Sequence, residues 1–154
     1  MFEVWGLKFI SKGFGSLIAL VTIMSTIKTF KEIKAWKKAV ELAKHIYLVS
    51  GKVSFSMDKP LQEQIRKAVV SIASNIAEGF GREGTREFIN FLTIAKGSAG
   101  EVQTQVQISF EVGYVSSDEY QVLDTLCGEV IGLIAGFLKY LRSSGIEGQK
   151  FRRN

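Results

Sequence analysis

Few side chains in this 154-residue sequence could carry covalent or acid–base chemistry. There is one histidine, His45, and one cysteine, Cys127. Nucleophilic catalysis pairs an activated Ser, Cys or Lys with a base in hydrogen-bond reach. His45 shares its helical face with Lys38, Glu41 and Lys52, a water-facing pattern. Cys127 falls on an apolar stripe and reads as a small buried hydrophobe. One Cys and one His cannot build a zinc site, and no Glu-x-x-His repeat offers di-iron ligands. The run from Gly79 to Gly84 (GFGREG) has the glycine content of a phosphate-cradling loop, but it joins two helices where such loops follow a strand. Ser71, Asn75, Glu78 and Arg82 form a polar stripe at helical spacing, read as a structural motif that satisfies helix ends or a basic side chain. The expectation is a protein that is not an enzyme, with no metal, no cofactor and no small-molecule substrate.

Positive charge is the other chemistry on offer. The formal net charge is +5. Residues 1–29 and 143–154 each hold three basic residues and one acidic residue, leaving 14 basic against 13 acidic between them. The central region is therefore nearly neutral, and its charges are segregated. Lys31, Lys34, Lys37, Lys38 and Lys44 crowd one segment, while Asp118, Glu119, Asp124 and Glu129 crowd another. A lysine run is commonly a solvated helix face, and it can also be a stripe that faces phosphates.

The elements that must position these groups are helical. A hydrophobic content of 46% with one proline and no second cysteine excludes a mainly disordered chain and a disulfide scaffold. From Phe30, Ile33, Trp36, Val40, Ala43 and Tyr47 step at bundle spacing, and Ala39, Leu42, Ile46, Val49 and Val53 form a second seam beside them. Two seams predict a first helix with two neighbours, in its own bundle or in another subunit. Ser54 to Met57 breaks the pattern. Asp58 is placed to cap a second helix, with Pro60 tolerated in its first turn. Its core stripe is Leu61, Ile65, Ala68, Val69, Ile72, Ile76 and Phe80, and Gly79, Gly81 and Gly84 end it. A third helix starts at Gly84 or Thr85 and buries Phe88, Leu92, Ala95, Ala99, Val102, Val106 and Phe110 before Gly113. Ser116 and Glu119 make a capping box for a fourth, with core residues Tyr120, Leu123, Cys127, Val130, Ile134, Phe137 and Leu141. Short connections between long helices predict an all-α, antiparallel up-down-up-down four-helix bundle over 30–142.

Glycine inside a helix costs about 1 kcal/mol relative to alanine. Gly97-Ser98-Ala99-Gly100 sits mid-way along the third helix, and Gly128, Gly132 and Gly136 share one face of the fourth. Both clusters read as close-contact faces, meeting inside the bundle or, for the second, packing on another subunit. The apolar run 126–138 favours a homo-oligomer.

Outside the bundle, 143–154 reads as a mobile basic tail. Residues 1–29 form an apolar extension with no charge between Lys12 and Lys28, too short to span a bilayer. Three readings stand open there: sequence upstream of a true start at Met24, an ordered or membrane-touching extension, and an export signal. A start at Met24 would suit a cytoplasmic protein.

Three stretches resemble a known family. QIRKAVVSIASNIAEGFGRE (64–83), EFINFLTIAKGSAGEV (87–102) and FKEIKAWKKAVELAKHIY (30–47) are similar to the bacterial four-helix bundle proteins first noticed as reading frames in intervening sequences of 23S ribosomal RNA genes. The likeness runs from about Phe30 to Leu141. Relatives include the accessory variability determinant proteins of diversity-generating retroelements, barrel-shaped homopentamers that bind nucleic acid and a reverse transcriptase. The resemblance therefore implies a ring-like homo-oligomer, a pentamer, with RNA or DNA and a reverse transcriptase as partners. The family usually carries an Arg-Arg pair where this chain has Arg66-Lys67, which keeps the charge and loses one planar fork. The nucleic-acid contacts expected are Lys31, Lys34, Lys37, Lys38, Arg66, Lys67, Arg82 and Arg86. The alternative is a protein-interaction scaffold with no nucleic-acid role.

Overall fold

A computed structural model of the chain describes residues 3–4, 7–8, 27–82 and 84–143. Two short strands, β1 (Glu3–Val4) and β2 (Leu7–Lys8), pair antiparallel with Glu3 opposite Lys8 and Val4 opposite Leu7. The readings made for the apolar run before Ile27 and for the basic tail fall outside the described residues.

The remaining described residues form a globular helical domain. Thr29 caps a single 3-10 turn, Phe30–Glu32, its side chain accepting from the Lys31 backbone N–H. There follow α1 (Lys34–Ser50), α2 (Val53–Ser56), α3 (Lys59–Gly81), α4 (Thr85–Glu111) and α5 (Ser117–Ser143). The simple four-helix bundle expected from the sequence is thus corrected to an all-α fold of five helices and a 3-10 turn. The difference lies at Val53–Ser56, a turn of helix that overlaps the break expected from Ser54 to Met57. Phe55 is completely buried there and packs on Tyr114 at 5.4 Å between ring centroids. One anchored aromatic is enough to hold a turn of helix in a segment whose periodicity predicts none.

α1 packs on α3 and α5, α3 on α4, and α4 on α5, so each long helix has two neighbours. Contacts between chain-distant residues set their directions. At one end Lys52 pairs with Glu119, Tyr114 donates to Asp58 at 3.2 Å, and Phe110 stacks on Tyr120. At the other, Phe88 meets Phe80 and Phe137 edge-on. The helix starts follow local chemistry. Asp58 Oδ1 accepts from Leu61 N at 3.2 Å, and Ser116 and Glu119 exchange side-chain-to-backbone bonds at 2.9 and 3.3 Å. Gly113, at φ 79°, supplies the left-handed residue that lets Tyr114 and Val115 donate back to the Ser109 carbonyl.

The core consists of Ile65, Ile72 and Ile76 on α3, Phe88, Leu92, Val102 and Val106 on α4, and Leu123, Val130, Ile134 and Phe137 on α5. The two seams of α1 are unequally buried. In one, Ala39, Leu42, Ile46 and Val49 are buried and Val53 is exposed; in the other, Ile33 is buried, Trp36 and Ala43 are half-buried against the core, and Val40 and Tyr47 are exposed. α5 is long and apolar enough to cross a membrane by length and composition alone. Most of its large apolar side chains, from Leu123 to Leu141, are core residues, Ile131 and Leu133 pack half-buried against them, and Val122 is exposed.

The glycine clusters are placed differently from either close-contact reading inside the bundle. A Cβ built on Gly97, Gly100, Gly128, Gly132 or Gly136 meets nothing within 4 Å. The glycines of the two patches therefore do not meet inside the domain, although Ala99, between Ser98 and Gly100, is itself buried in the core. The tight glycine is Gly79, whose Cβ would fall 2.6 Å from Phe91 Cβ and 2.8 Å from the Phe88 ring. The ring-like assembly expected together with the four-helix bundle is likewise set aside, because the described structure holds one chain and gives it no support.

Candidate functional site

The alternating directions of the long helices sort charge by end. The start of α1, the end of α3, the start of α4 and the end of α5 share one end of the domain. Lys31, Lys34 and Lys37 arrive there from the 3-10 turn and α1, Arg82 and Arg86 from the α3–α4 connection, and Lys139 and Arg142 from the last turns of α5. All seven are exposed. Carboxylates at this end are Glu32, Glu78 and Glu87, with Glu83 outside the described residues. The opposite end gathers Asp58, Glu63, Glu111, Asp118 and Glu119 against Lys52 and Lys59. Among the described residues, Lys31, Lys37 and Arg86 have no carboxylate in salt-bridge reach.

The expected contact residues do not form one surface. Lys38 is neutralised: its Nζ lies 2.8 Å from Glu41 and 3.0 Å from Glu129. Those bonds, Glu41's first, raise its pKa, and Lys38 in turn lowers that of Glu41. This trio lines a groove between α1 and α5 together with the half-buried His45. Arg66 is half-buried far from the basic end, its guanidinium 4.8 Å from the Tyr47 ring centroid and its Nε donating to Ser50 Oγ at 2.8 Å. Beside it, Gln62 donates to the Ser50 carbonyl at 2.6 Å. Arg66 is thus a structural clasp between α1 and α3, while its neighbour Lys67 is exposed. Arg82 belongs to the basic end and is restrained there, donating to Glu78 at 2.6 Å and lying over the Phe91 ring.

The polar stripe of α3 divides into two uses. Glu78 holds Arg82. Asn75 Nδ2 donates to the Ser71 carbonyl and hydroxyl at 2.8 and 3.0 Å, and Ser71 Oγ meets Ser98 Oγ of α4 at 2.9 Å. Ser98 was not legible as Ser71's partner, because it sits among small residues on a different helix. Burial pushes the Cys127 thiol up to about 12, with Asp124 adding to the shift, so it is no nucleophile at neutral pH. Among the described residues no cluster of His, Cys, Asp and Glu could hold a metal ion.

A second groove, between α4 and α5, was not anticipated from the sequence. It is lined by Lys96, Ala135, Leu138, Lys139, Arg142 and Ser143. Among the described residues no carboxylate lines it, in contrast to the α1–α5 groove. The α5 residues follow helical spacing, but nothing in the sequence ties Lys96 to them.

A model of the family described as 23S rRNA-intervening sequence protein matches residues 31–136. No curated protein matches. Among solved structures, the chain is similar to the crystal structure of a protein with unknown function from the S23 ribosomal protein family from Bacteroides thetaiotaomicron. The two are 24% identical with a TM-score of 0.63, over 68% of this chain and 95% of that one. At this identity the likeness concerns the fold. Neither match names a diversity-generating retroelement, so the expected kinship with retroelement accessory proteins, and the homopentamer and reverse transcriptase that came with it, lack support and are set aside. The family match spans α1 through most of α5, and the chain belongs to the 23S rRNA-intervening sequence protein family.

Proposed function

We propose that this protein is a non-catalytic accessory protein of the cytoplasm that binds structured RNA or DNA through the basic end of its helical core. One observation carries the reading: Lys31, Lys34 and Lys37 join Arg82, Arg86, Lys139 and Arg142 at one end of the domain, where they outnumber the described carboxylates Glu32, Glu78 and Glu87. A near-neutral domain can attract a polyanion when its cations are concentrated in this way. Phosphate contacts of this kind tolerate sequence, position a nucleic acid and release counterions. Self-association would multiply the field, and the open glycine face of α5 at Gly128, Gly132 and Gly136 offers small residues for close approach of a second copy.

The test is fluorescence anisotropy with a labelled RNA hairpin across a range of salt. Association at low salt should weaken linearly in log K against log salt, and Lys31→Gln with Lys34→Gln and Lys37→Gln should flatten that slope. An absence of association at low salt would overturn the reading.

The second reading, a protein-interaction scaffold, is favoured by Val40, Tyr47 and Leu48, which keep apolar surface of α1 in water at 41%, 47% and 63% exposure. Capture of a protein partner that survives nuclease treatment, with no RNA association, would support it over the first.

A further inference from the structure

We infer that the groove between α4 and α5 is a phosphate site, formed by Lys96, Lys139 and Arg142. The inference rests on the nucleic-acid reading for the source of the phosphate, a backbone phosphodiester, and on the groove itself for the site.

The groove walls come from two helices. Ala135, Lys139 and Arg142 recur at spacings of four and three along α5, so they share one stripe, with buried Leu138 as the floor beside them. Ala135 is small and half-buried, which leaves the groove open above it. Lys96 reaches the same groove from the middle of α4.

Lys96 and Arg142, on one groove, repel each other unless an anion lies between them. Elsewhere the protein resolves such charge internally, as Glu41 and Glu129 do for Lys38. Here no carboxylate among the described residues lines the groove, and among those residues Lys96 and Arg142 have no ion-pair partner. Arg142 and Lys139 have a further rationale, because cations in the last turns of a helix oppose the partial negative charge of its C-terminus. That rationale does not extend to Lys96, which is mid-helix on a different element. A planar guanidinium fork with two ammonium groups offers donors in three directions, which suits the oxygens of a phosphate better than a carboxylate. The groove opens at the same end as Lys31, Lys34, Lys37, Arg82 and Arg86, so a nucleic acid on the basic end could continue along this flank.

Two measurements on the full chain test it. In the first, inorganic phosphate is titrated at constant ionic strength while backbone amide NMR shifts are followed. Shifts concentrated at Lys96, Ala135, Lys139 and Arg142, and lost in Lys96→Gln, are the expected result. In the second, RNA hairpin binding is compared for the wild type, Lys96→Gln with Arg142→Gln, and the Lys31, Lys34 and Lys37 triple variant. Loss of one phosphate contact should lower the log–log salt slope by about 0.9 in the groove variant. Thermal melting checks that these exposed substitutions leave the fold intact.

Unchanged amide shifts in the groove, with a groove variant that keeps the wild-type slope while the triple variant loses it, would overturn the groove and leave the basic end standing. Groove shifts with phosphate in a protein that binds no RNA would keep the site, assign it to a free phosphate and overturn the nucleic-acid reading. Neither response in either measurement would overturn both.

Discussion

A Cβ placed on Gly79 would lie 2.6 Å from the Cβ of Phe91, so α3 and α4 approach most tightly where one of them has no side chain. The obstructing atom is the root of a side chain and cannot swing away. Gly79→Ala should therefore destabilise the protein by about 1–3 kcal/mol, as overpacking typically does, despite alanine's better helix propensity. Gly132→Ala meets open space and should stabilise by up to about 1 kcal/mol. Urea unfolding of the pair checks both signs. Equal effects of the two substitutions would contradict the packing described here.

Arg66 acts through geometry as well as charge. Its Nε–H bonds Ser50 Oγ while its plane covers Tyr47. Arg66→Lys keeps the charge and loses both the fork and the stacking, with an expected cost of about 0.5–1.5 kcal/mol. Lys67→Gln, one residue on and exposed, should be within about 0.5 kcal/mol of wild type. The measurement is the shift of the chemical unfolding midpoint at an unchanged m-value.

Glu119 links the capping box to α1. Its bond to Lys52, and then that from the Ser116 backbone, hold its carboxyl below the ordinary value of 4.5. A depressed folded-state pKa stabilises the protein fully above the unfolded value, and the contribution is lost as pH falls through the folded one. Glu119→Gln should thus be less stable than wild type by about 1 kcal/mol at pH 7. The gap between them should close as the pH drops below 4.5. Unfolding at pH 7, 5 and 3 reads the difference, and a gap that widens in acid would refute the assignment.

Cys127 should resist alkylation. With the thiol pushed up to about 12, the thiolate fraction at pH 8 is on the order of one in ten thousand, and burial removes access as well. Iodoacetamide should label it at the rate of global unfolding. Cys127→Ser should cost about 1–3 kcal/mol, because a hydroxyl there would be buried among apolar side chains.

Periodicity and end signals were enough to find the long helices, the Ser116–Glu119 box and the core stripes of α3, α4 and α5, because each depends on residues within a few positions of one another. The same local information failed where long-range contacts decide. On α1 two seams are apolar in sequence, and only the packed domain selects Ala39, Leu42, Ile46 and Val49 over Val40 and Tyr47. At Ser54 to Met57 the repeat predicts a break, yet Val53–Ser56 is a turn of helix in which Phe55 buries itself against Tyr114.

Glycine placement shows the same division. Counting glycines left Gly128, Gly132 and Gly136 open to contact inside the bundle or with another subunit and made Gly79 a helix end, yet inside the domain the tight approach belongs to Gly79, since it depends on what the neighbouring helix presents.

By itself, then, the sequence determined the helical character, the family, the scarcity of catalytic side chains and the inert setting of Cys127, all properties of residue type and short spacing. Only the tertiary structure decided which cations act together. It neutralised Lys38 with Glu129, turned Arg66 into a clasp, and brought Lys96 beside Lys139 and Arg142. Coulomb interactions depend on distance in space, and the helix directions set those distances for residues far apart in the chain.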